Sequence, residues 1–172
     1  MAFAPLTGKF QGSRRTARAS NMLVRMRLLL LATLFALAAC RSPQDAQAQR
    51  ENEFREMLTG AKLTGRFTMK GSDRIREDSY EISSVTKLPA GDLWTIQSRI
   101  KYGDKDVTIP VPVRIEWAGD TPVLQLTNAT LPGLGTFTVR LLFYKDSQGQ
   151  GHSAGFWWGG DHGGEMFGTI SK

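Results

Sequence analysis

Strict alternation of apolar residues with polar residues or proline is the feature that most limits how this chain can fold. Between Val107 and Trp117, six apolar residues occupy every second position. Successive side chains of a β-strand point to opposite faces of a sheet, so this pattern predicts a strand with one buried face. The same stretch contains Pro110 and Pro112, which cannot donate a backbone hydrogen bond. We therefore expect this strand to lie at a sheet edge, to bend or to be partly unpaired.

The period of two recurs along most of the chain from residue 63 onward, with glycine- and proline-containing turns at short intervals. It predicts about eight short strands at residues 63–69, from 80, 94–102, 107–117, 123–126, 137–143, 154–158 and 165–170. Short strands joined by short loops favour an antiparallel meander. We predict an all-β domain over residues 61–172, with the meander closed or partly closed into a barrel, because closure hides strand edges.

A short helix is predicted ahead of the first strand. Ser42 is a suitable N-cap with Pro43 at the first helical position, and Gly60 is suited to end the helix. Phe54 and Leu58 have the spacing of one helical face. Residues 41–53 are otherwise polar, which is typical of a tether. We expect the helix to pack on one end of the barrel or to fray into this tether.

An apolar run near the N-terminus has the pattern of a secretory signal. Residues 28–40, LLLLATLFALAAC, follow a basic flank and are too short for a comfortable membrane span. The basic region before the run is long for a signal, so Met22 or Met26 is an alternative start. We predict a signal peptide over residues 1–39.

The end of that run, Leu37-Ala38-Ala39-Cys40, resembles the lipobox of bacterial lipoproteins. The resemblance implies that the thiol of Cys40 is acylated and that the chain is cut just before it. Residues 40–60 would then form a lipidated tether and the short helix. Two or three acyl chains give a stable anchor, so we expect an exported protein held at the outer membrane or the periplasmic face. The alternative is a free thiol in an ordinary signal peptide.

The charge distribution argues against nucleic-acid binding. Residues 1–39 hold six of the 22 basic residues and no acidic residue, so 16 basic and 16 acidic groups remain in the rest of the chain. A formally neutral domain lacks the clustered positive charge that drives affinity for phosphate backbones.

Two further resemblances concern the β-domain. The order of a short helix, a first strand containing LTGRF (residues 63–67) and a last strand near Phe167 resembles the layout of the lipocalin and calycin group, with Phe67 where the lipocalin signature has tryptophan. The runs LPGLGTFTVRLLFY and GFWWGGDHGGEMFGTI are similar to the ends of small exported proteins of planctomycete-type bacteria. The second resemblance transfers no catalytic or ligand residue.

The segment WWGGDHGGEMFG, residues 157–168, is the densest group of chemically active side chains. Its Asp161, His162 and Glu165, together with His152, include residue types that bind divalent metals. The spacing favours a different interpretation, a hairpin in which the glycines make the bend. We predict that Trp157 and Trp158, as neighbours in one strand, face opposite sides of the sheet. The metal site is kept as a minority hypothesis.

No nucleophile motif and no phosphate-binding glycine loop is evident in the sequence, so we expect no catalytic residue and no cofactor. The first hypothesis is an exported lipoprotein that binds a small apolar ligand in its barrel. The inward positions expected to line the site are Trp94, Ile109, Val111, Phe137 and Val139. One alternative is a structural or protein-interaction lipoprotein without a pocket, for which another envelope protein would be the partner. The other alternative is a metal-dependent enzyme that uses His152, Asp161, His162 and Glu165.

Overall fold

The computed structural model describes residues 42–89 and 91–172. Residues Gln47–Lys172 form one compact unit. The predicted signal peptide and Cys40 lie outside the described residues. Within the part of the chain that is described, no helix has the length and apolar character needed to cross a membrane.

The described residues form one helix and eight strands that close into a barrel. Each strand pairs antiparallel with the next, and the last pairs with the first, so the predicted all-β meander is confirmed as a closed barrel. In chain order the elements are α1 Pro43–Leu58, β1 Lys62–Met69, β2 Ser72–Lys87, β3 Leu93–Tyr102, β4 Lys105–Ala118, β5 Thr121–Leu131, β6 Gly135–Lys145, β7 Gly151–Gly159 and β8 His162–Ser171.

The local signals for α1 act as the sequence predicts. The backbone N–H of Asp45 donates to Ser42 Oγ at 3.1 Å, which satisfies one of the free donors at the helix start. Pro43 is the first helical residue. Gly60 follows the helix with φ +73°, a left-handed conformation that favours glycine. The polar residues 43–53 form most of this helix.

The C-terminal part of α1 covers one end of the barrel, here called the helix end. Phe54 is buried there, with its ring 5.5 Å from Trp94, 6.4 Å from Trp117 and 5.8 Å from Phe143, measured between ring centroids. Leu58 is fully buried beside it. The opposite end of the barrel, here called the turn end, holds the short connections that follow β1, β3, β5 and β7.

The two prolines of β4 leave a seam in the barrel wall. β4 pairs with β3 along residues 105–114 but with β5 only along residues 114–118. The N–H of Ile115 donates to Asp92 O, just before β3, at 3.0 Å. Successive backbone N–H groups of a strand point alternately to its two neighbouring strands. Because the N–H of Ile115 points toward β3, the backbone nitrogen atoms of residues 110 and 112 point toward β5. Pro110 and Pro112 have no N–H to offer, and the predicted loss of pairing in this strand is confirmed.

Some strands are longer than the sequence pattern indicates. The prediction that the second strand begins at Tyr80 was wrong, because β2 begins at Ser72. The added residues include exposed Arg74 and Arg76, and their backbone pairs with β1 without burying an apolar face. Backbone pairing does not require alternating hydrophobicity, so a polar extension of a strand leaves no signal in the apolar period.

Candidate functional site: an apolar cavity inside the barrel

The barrel contains a cavity of about 190 Å³. Residues from all eight strands line it, and Leu58 of α1 reaches it from the helix end. An engineered apolar cavity of about 150 Å³ is large enough to bind benzene, so this space suits a small organic molecule. Much of the lining is aliphatic or aromatic, including Leu63, Phe67, Ile82, Ile96, Ile100, Val113, Leu124, Leu131, Leu141 and Phe143.

A row of small residues crosses the barrel wall and ends at Asp78. In the strand register Ser153 lies opposite Gly168, which lies opposite Gly65, which lies opposite Asp78. A Cβ added at Gly65 would lie only 2.3 Å from Asp78 Oδ1. The carboxyl group of Asp78 therefore occupies the volume that a side chain at position 65 would need.

Aromatic rings line the turn end of the cavity. The ring of Trp157 lies 5.7 Å from that of Phe67 and 6.5 Å from that of Phe137, between centroids. The indole Nε1 of Trp157 donates to Thr68 O at 3.1 Å. This hydrogen bond satisfies the one polar atom of the indole and leaves its apolar face for the cavity.

One acidic group lies in the cavity wall. Asp78 is buried, and its Oδ2 accepts a hydrogen bond of 2.9 Å from the hydroxyl of Tyr80. Burial raises the pKa of Asp78, and the Tyr80 hydrogen bond partly opposes that rise. Burial also raises the pKa of Tyr80 well above its ordinary value, and the adjacent Asp78 carboxylate adds to this effect. Tyr80 is therefore a neutral hydrogen-bond donor at neutral pH.

A second polar group in the wall has no partner. Ser98 is only 4% exposed, and its Oγ makes no hydrogen bond to any described residue. In the register it lies opposite Ile82 of β2 and Ile109 of β4, neither of which has a polar side chain. The described residues that line the cavity include no lysine, arginine or histidine.

The structure brings together three of the five residues expected to form the ligand site. Val111, Phe137 and Val139 line the cavity. Trp94 and Ile109 are buried but are not among the lining residues, and Trp94 packs instead against Phe54 of α1. The helix occupies the end of the barrel where Trp94 lies, and no local pattern in the strands reveals that contact.

Sequence reasoning missed several polar positions of the cavity, and Asp78 and Ser98 show why. Asp78 stands two residues before Tyr80, in the same inward alternation, and Ser98 interrupts the apolar series of β3 between Ile96 and Ile100. A polar residue at an inward position was the available signal for both. The role of such a residue depends on whether another strand supplies a hydrogen-bond partner for it, and only the assembled barrel shows this.

The proposed metal ligands do not converge. His152 lies near the start of β7 and His162 follows the turn at its end, a separation of seven strand residues or about 23 Å. The Nε2 atom of His152 lies 3.0 Å from Asp146 Oδ2, and that of His162 lies 3.2 Å from Asp161 Oδ1. Across residues 42–89 and 91–172, no group of three or more metal-binding side chains is present.

The segment WWGGDHGGEMFG forms the hairpin between β7 and β8, as predicted. Its turn is only Gly160-Asp161, because Gly159 already pairs with His162. The expectation that all four glycines make the bend was therefore wrong. A Cβ at Gly164 would lie 2.2 Å from Thr68 O, so this glycine permits close strand approach rather than a turn.

The two adjacent tryptophans face opposite sides of the sheet, as predicted. Trp157 lines the cavity, whereas Trp158 is 48% exposed and stacks on exposed Phe156, with centroids 6.0 Å apart. Phe167 of the neighbouring strand is also exposed. The outer face of β7 and β8 thus carries three exposed aromatic side chains.

The raised pKa of Asp78 predicts a pH-dependent stability effect. Because the native state holds this proton more tightly than the unfolded state, its contribution falls as pH rises from the ordinary aspartate range through the native pKa. We expect Asp78→Asn to gain free energy of unfolding relative to the natural protein as pH rises from about 3 to 7. Chemical denaturation at several pH values measures the difference.

Asp146→Asn is the matched control with the opposite sign. The hydrogen bond from His152 lowers the pKa of Asp146, so the native state favours its charged form. This variant should lose stability relative to the natural protein as pH rises through the same range. A pH-independent difference between Asp78→Asn and the natural protein would contradict the burial argument.

Comparisons of this chain with family models, with curated proteins and with solved structures found no match.

Proposed function

We propose that this protein is an exported, lipid-anchored envelope protein that binds a small apolar molecule inside its barrel without catalysing a reaction. The observation that carries the binding proposal is the cavity of about 190 Å³ with its mainly apolar lining. Ligand sites of proteins are typically concave and apolar with a few polar groups, and the barrel interior has this composition. Burial of apolar ligand surface would supply the main driving force.

The lipid anchor is supported by the sequence Leu37-Ala38-Ala39-Cys40 after the apolar run. An acylated Cys40 would hold the protein to the membrane through its N-terminus. We expect mass spectrometry of the exported protein to find an acylated N-terminal Cys40. An unmodified thiol or an intact Met1 terminus would refute the anchor and leave the binding proposal standing.

A cavity-filling substitution tests ligand binding. Val139 lines the cavity, so Val139→Phe would place a larger side chain in the space that a ligand needs. We expect NMR titration of the purified protein with toluene to show binding that this variant weakens at least about tenfold, which corresponds to about 1.4 kcal/mol. Because overpacking also costs stability, thermal denaturation must confirm that the variant is folded.

Val123→Phe is the matched control for this experiment. Val123 lies opposite Leu142, whose side chain is exposed, so it is on the outer face of the barrel. The same substitution there should leave toluene affinity unchanged. Equal affinities in the natural protein and in folded Val139→Phe would contradict binding inside the barrel.

The exposed aromatic side chains favour a second candidate function, a structural or protein-interaction role. Phe156, Trp158 and Phe167 are each at least 45% exposed on neighbouring strands. Clustered exposed apolar groups commonly mark interaction surfaces. The titration above separates the two candidates, since a cavity that takes up no probe would favour the interaction role.

A further inference from the structure

We propose that the ligand of this cavity is an apolar amine, whose protonated nitrogen pairs with the carboxyl group of Asp78. The inference rests on the proposed binding function and specifies the chemical class of the ligand. Its basis is a buried carboxyl group on the inner face of the barrel, in a cavity whose described lining residues include no basic side chain.

The carboxyl group of Asp78 is on the cavity side of the sheet. Gly65 belongs to the inward alternation of β1, so a Cβ at this position would point into the barrel. That Cβ would lie 2.3 Å from Asp78 Oδ1, so this oxygen lies over a residue that has no side chain to cover it. Asp78 is 7% exposed and lines the cavity. Neither of its carboxyl oxygens is both closed off and unpaired, as Ser98 Oγ is.

Asp78 has no cation to pair with in the described part of the chain. Its carboxyl group accepts hydrogen bonds from Tyr80 and from its own backbone N–H, and no described lysine or arginine affects its pKa. Arg76, two residues earlier on the same face of β2, is exposed and does not line the cavity. A buried carboxylate is costly unless a positive group pairs with it. A ligand ammonium group would supply the countercharge together with hydrogen-bond donors.

The other polar side chains of the lining do not select a charge. Tyr80, Ser98, Tyr102 and Ser153 carry hydroxyl groups. A hydroxyl can donate or accept, so it suits ligand groups of either sign. Among the described lining residues Asp78 is the only carboxylic or basic side chain, and it favours a cation. A ligand carboxylate would lose its hydration and meet a like charge.

Aromatic side chains add to the preference for a cation. The face of an aromatic ring attracts a positive charge, and this attraction is stronger where water is excluded. Tyr102 lies directly opposite Asp78 in the register, and Tyr80 lies two residues farther along β2. The aromatic residues that line the cavity are Phe67, Tyr80, Tyr102, Phe137, Phe143 and Trp157.

Four probes with the same ring test the ligand class: benzylamine, benzyl alcohol, benzoate and toluene. Each is titrated at pH 7 against the purified full chain and followed by NMR. We expect benzylamine to bind at least about tenfold more tightly than benzyl alcohol, because a charge-assisted hydrogen bond is stronger than a neutral one. Benzoate should bind more weakly than benzyl alcohol. Toluene is the reference for apolar binding, and Val139→Phe should weaken the binding of benzylamine as well as that of toluene.

Asp78→Asn tests the contact itself, because the amide keeps the shape of the side chain and removes its charge. We expect this variant to weaken benzylamine binding at least about tenfold and to change toluene affinity less than about twofold. Asp146→Asn is the matched control, since Asp146 does not line the cavity, and it should leave both affinities unchanged. Thermal denaturation must show that both variants are folded.

A pH series on the natural protein tests the same contact without a substitution. Only ionised Asp78 pairs with an ammonium group, so benzylamine affinity should rise at least about threefold between about pH 4 and 7 while toluene affinity stays constant. Burial raises the pKa of Asp78, so the rise should extend above the ordinary aspartate range. The residues opposite Asp78 are Gly65 of β1 and Tyr102 of β3, and tyrosines ordinarily titrate well above this range.

The outcomes separate this inference from the function on which it rests. If all four probes fail to bind, the proposed binding function is wrong and the inference falls with it. If toluene binds but benzylamine binds no more tightly than benzyl alcohol, the ligand class is overturned while the binding function stands. Unchanged benzylamine affinity in folded Asp78→Asn, or across the pH series, overturns the contact with Asp78.

Discussion

Replacing Phe54 by alanine is expected to lower the free energy of unfolding by about 3–5 kcal/mol. Phe54 is 1% exposed, and its ring makes edge contacts with Trp94 and Trp117 and a tilted contact with Phe143. Alanine would remove these contacts and leave a hole between the helix and the barrel end, which three strands could close only by moving together.

Urea denaturation followed by circular dichroism measures this loss, and the tryptophan emission of the folded variant should shift as Trp94 becomes accessible to water. Phe156→Ala is the matched control, because Phe156 is 50% exposed and should cost about 0.5 kcal/mol or less. Similar losses for the two variants would show that α1 does not contribute to the core of the barrel.

Gly65→Ala is expected to destabilise the protein by about 1–3 kcal/mol, as overpacked sites commonly do. The new Cβ would lie 2.3 Å from Asp78 Oδ1 and 3.3 Å from Phe167 O. The first distance forces the carboxyl group of Asp78 to move, and its hydrogen bond with Tyr80 would be strained or lost. The second distance lies within the tolerance of a small backbone shift.

A double-mutant cycle with Asp78→Ala isolates the collision. If the carboxyl group is the main obstacle, Gly65→Ala should cost less in the Asp78→Ala background, with a coupling energy of at least about 0.5 kcal/mol. Denaturation of the four proteins under one condition supplies this value. Strict additivity would mean that the side chain of Asp78 does not occupy the space above Gly65.

The strands could be predicted from the sequence because their signal is local. The alternation through β4 identified its inward residues, and Pro110 and Pro112 identified the strand with incomplete pairing. The start of β2 could not be predicted in this way, because Arg74, Arg76 and most of the residues around them are exposed and show no apolar alternation. The glycines near His162 were misassigned to the bend because glycine serves both turns and close strand approach.

The cavity was only partly predictable. An inward position follows from the alternation, so Val111, Phe137 and Val139 could be assigned to the site from the sequence alone. Trp94 has the same inward position in its strand, but α1 covers the helix end of the barrel, and Trp94 packs there against Phe54. Two inward residues of one sheet can therefore lie in different environments, and period-two alternation does not distinguish them.

Local signals were enough to predict a meander of short strands preceded by a capped helix, since alternation, turn residues and capping act over a few neighbouring positions. The assembled barrel decided that β1 closes on β8, that Gly65 makes room for the carboxyl group of Asp78, and that Ser98 has no partner among the described residues. These features depend on the register between strands that are distant in sequence. Packing and hydrogen bonding depend on atoms from several such strands, so they cannot be predicted from any single segment.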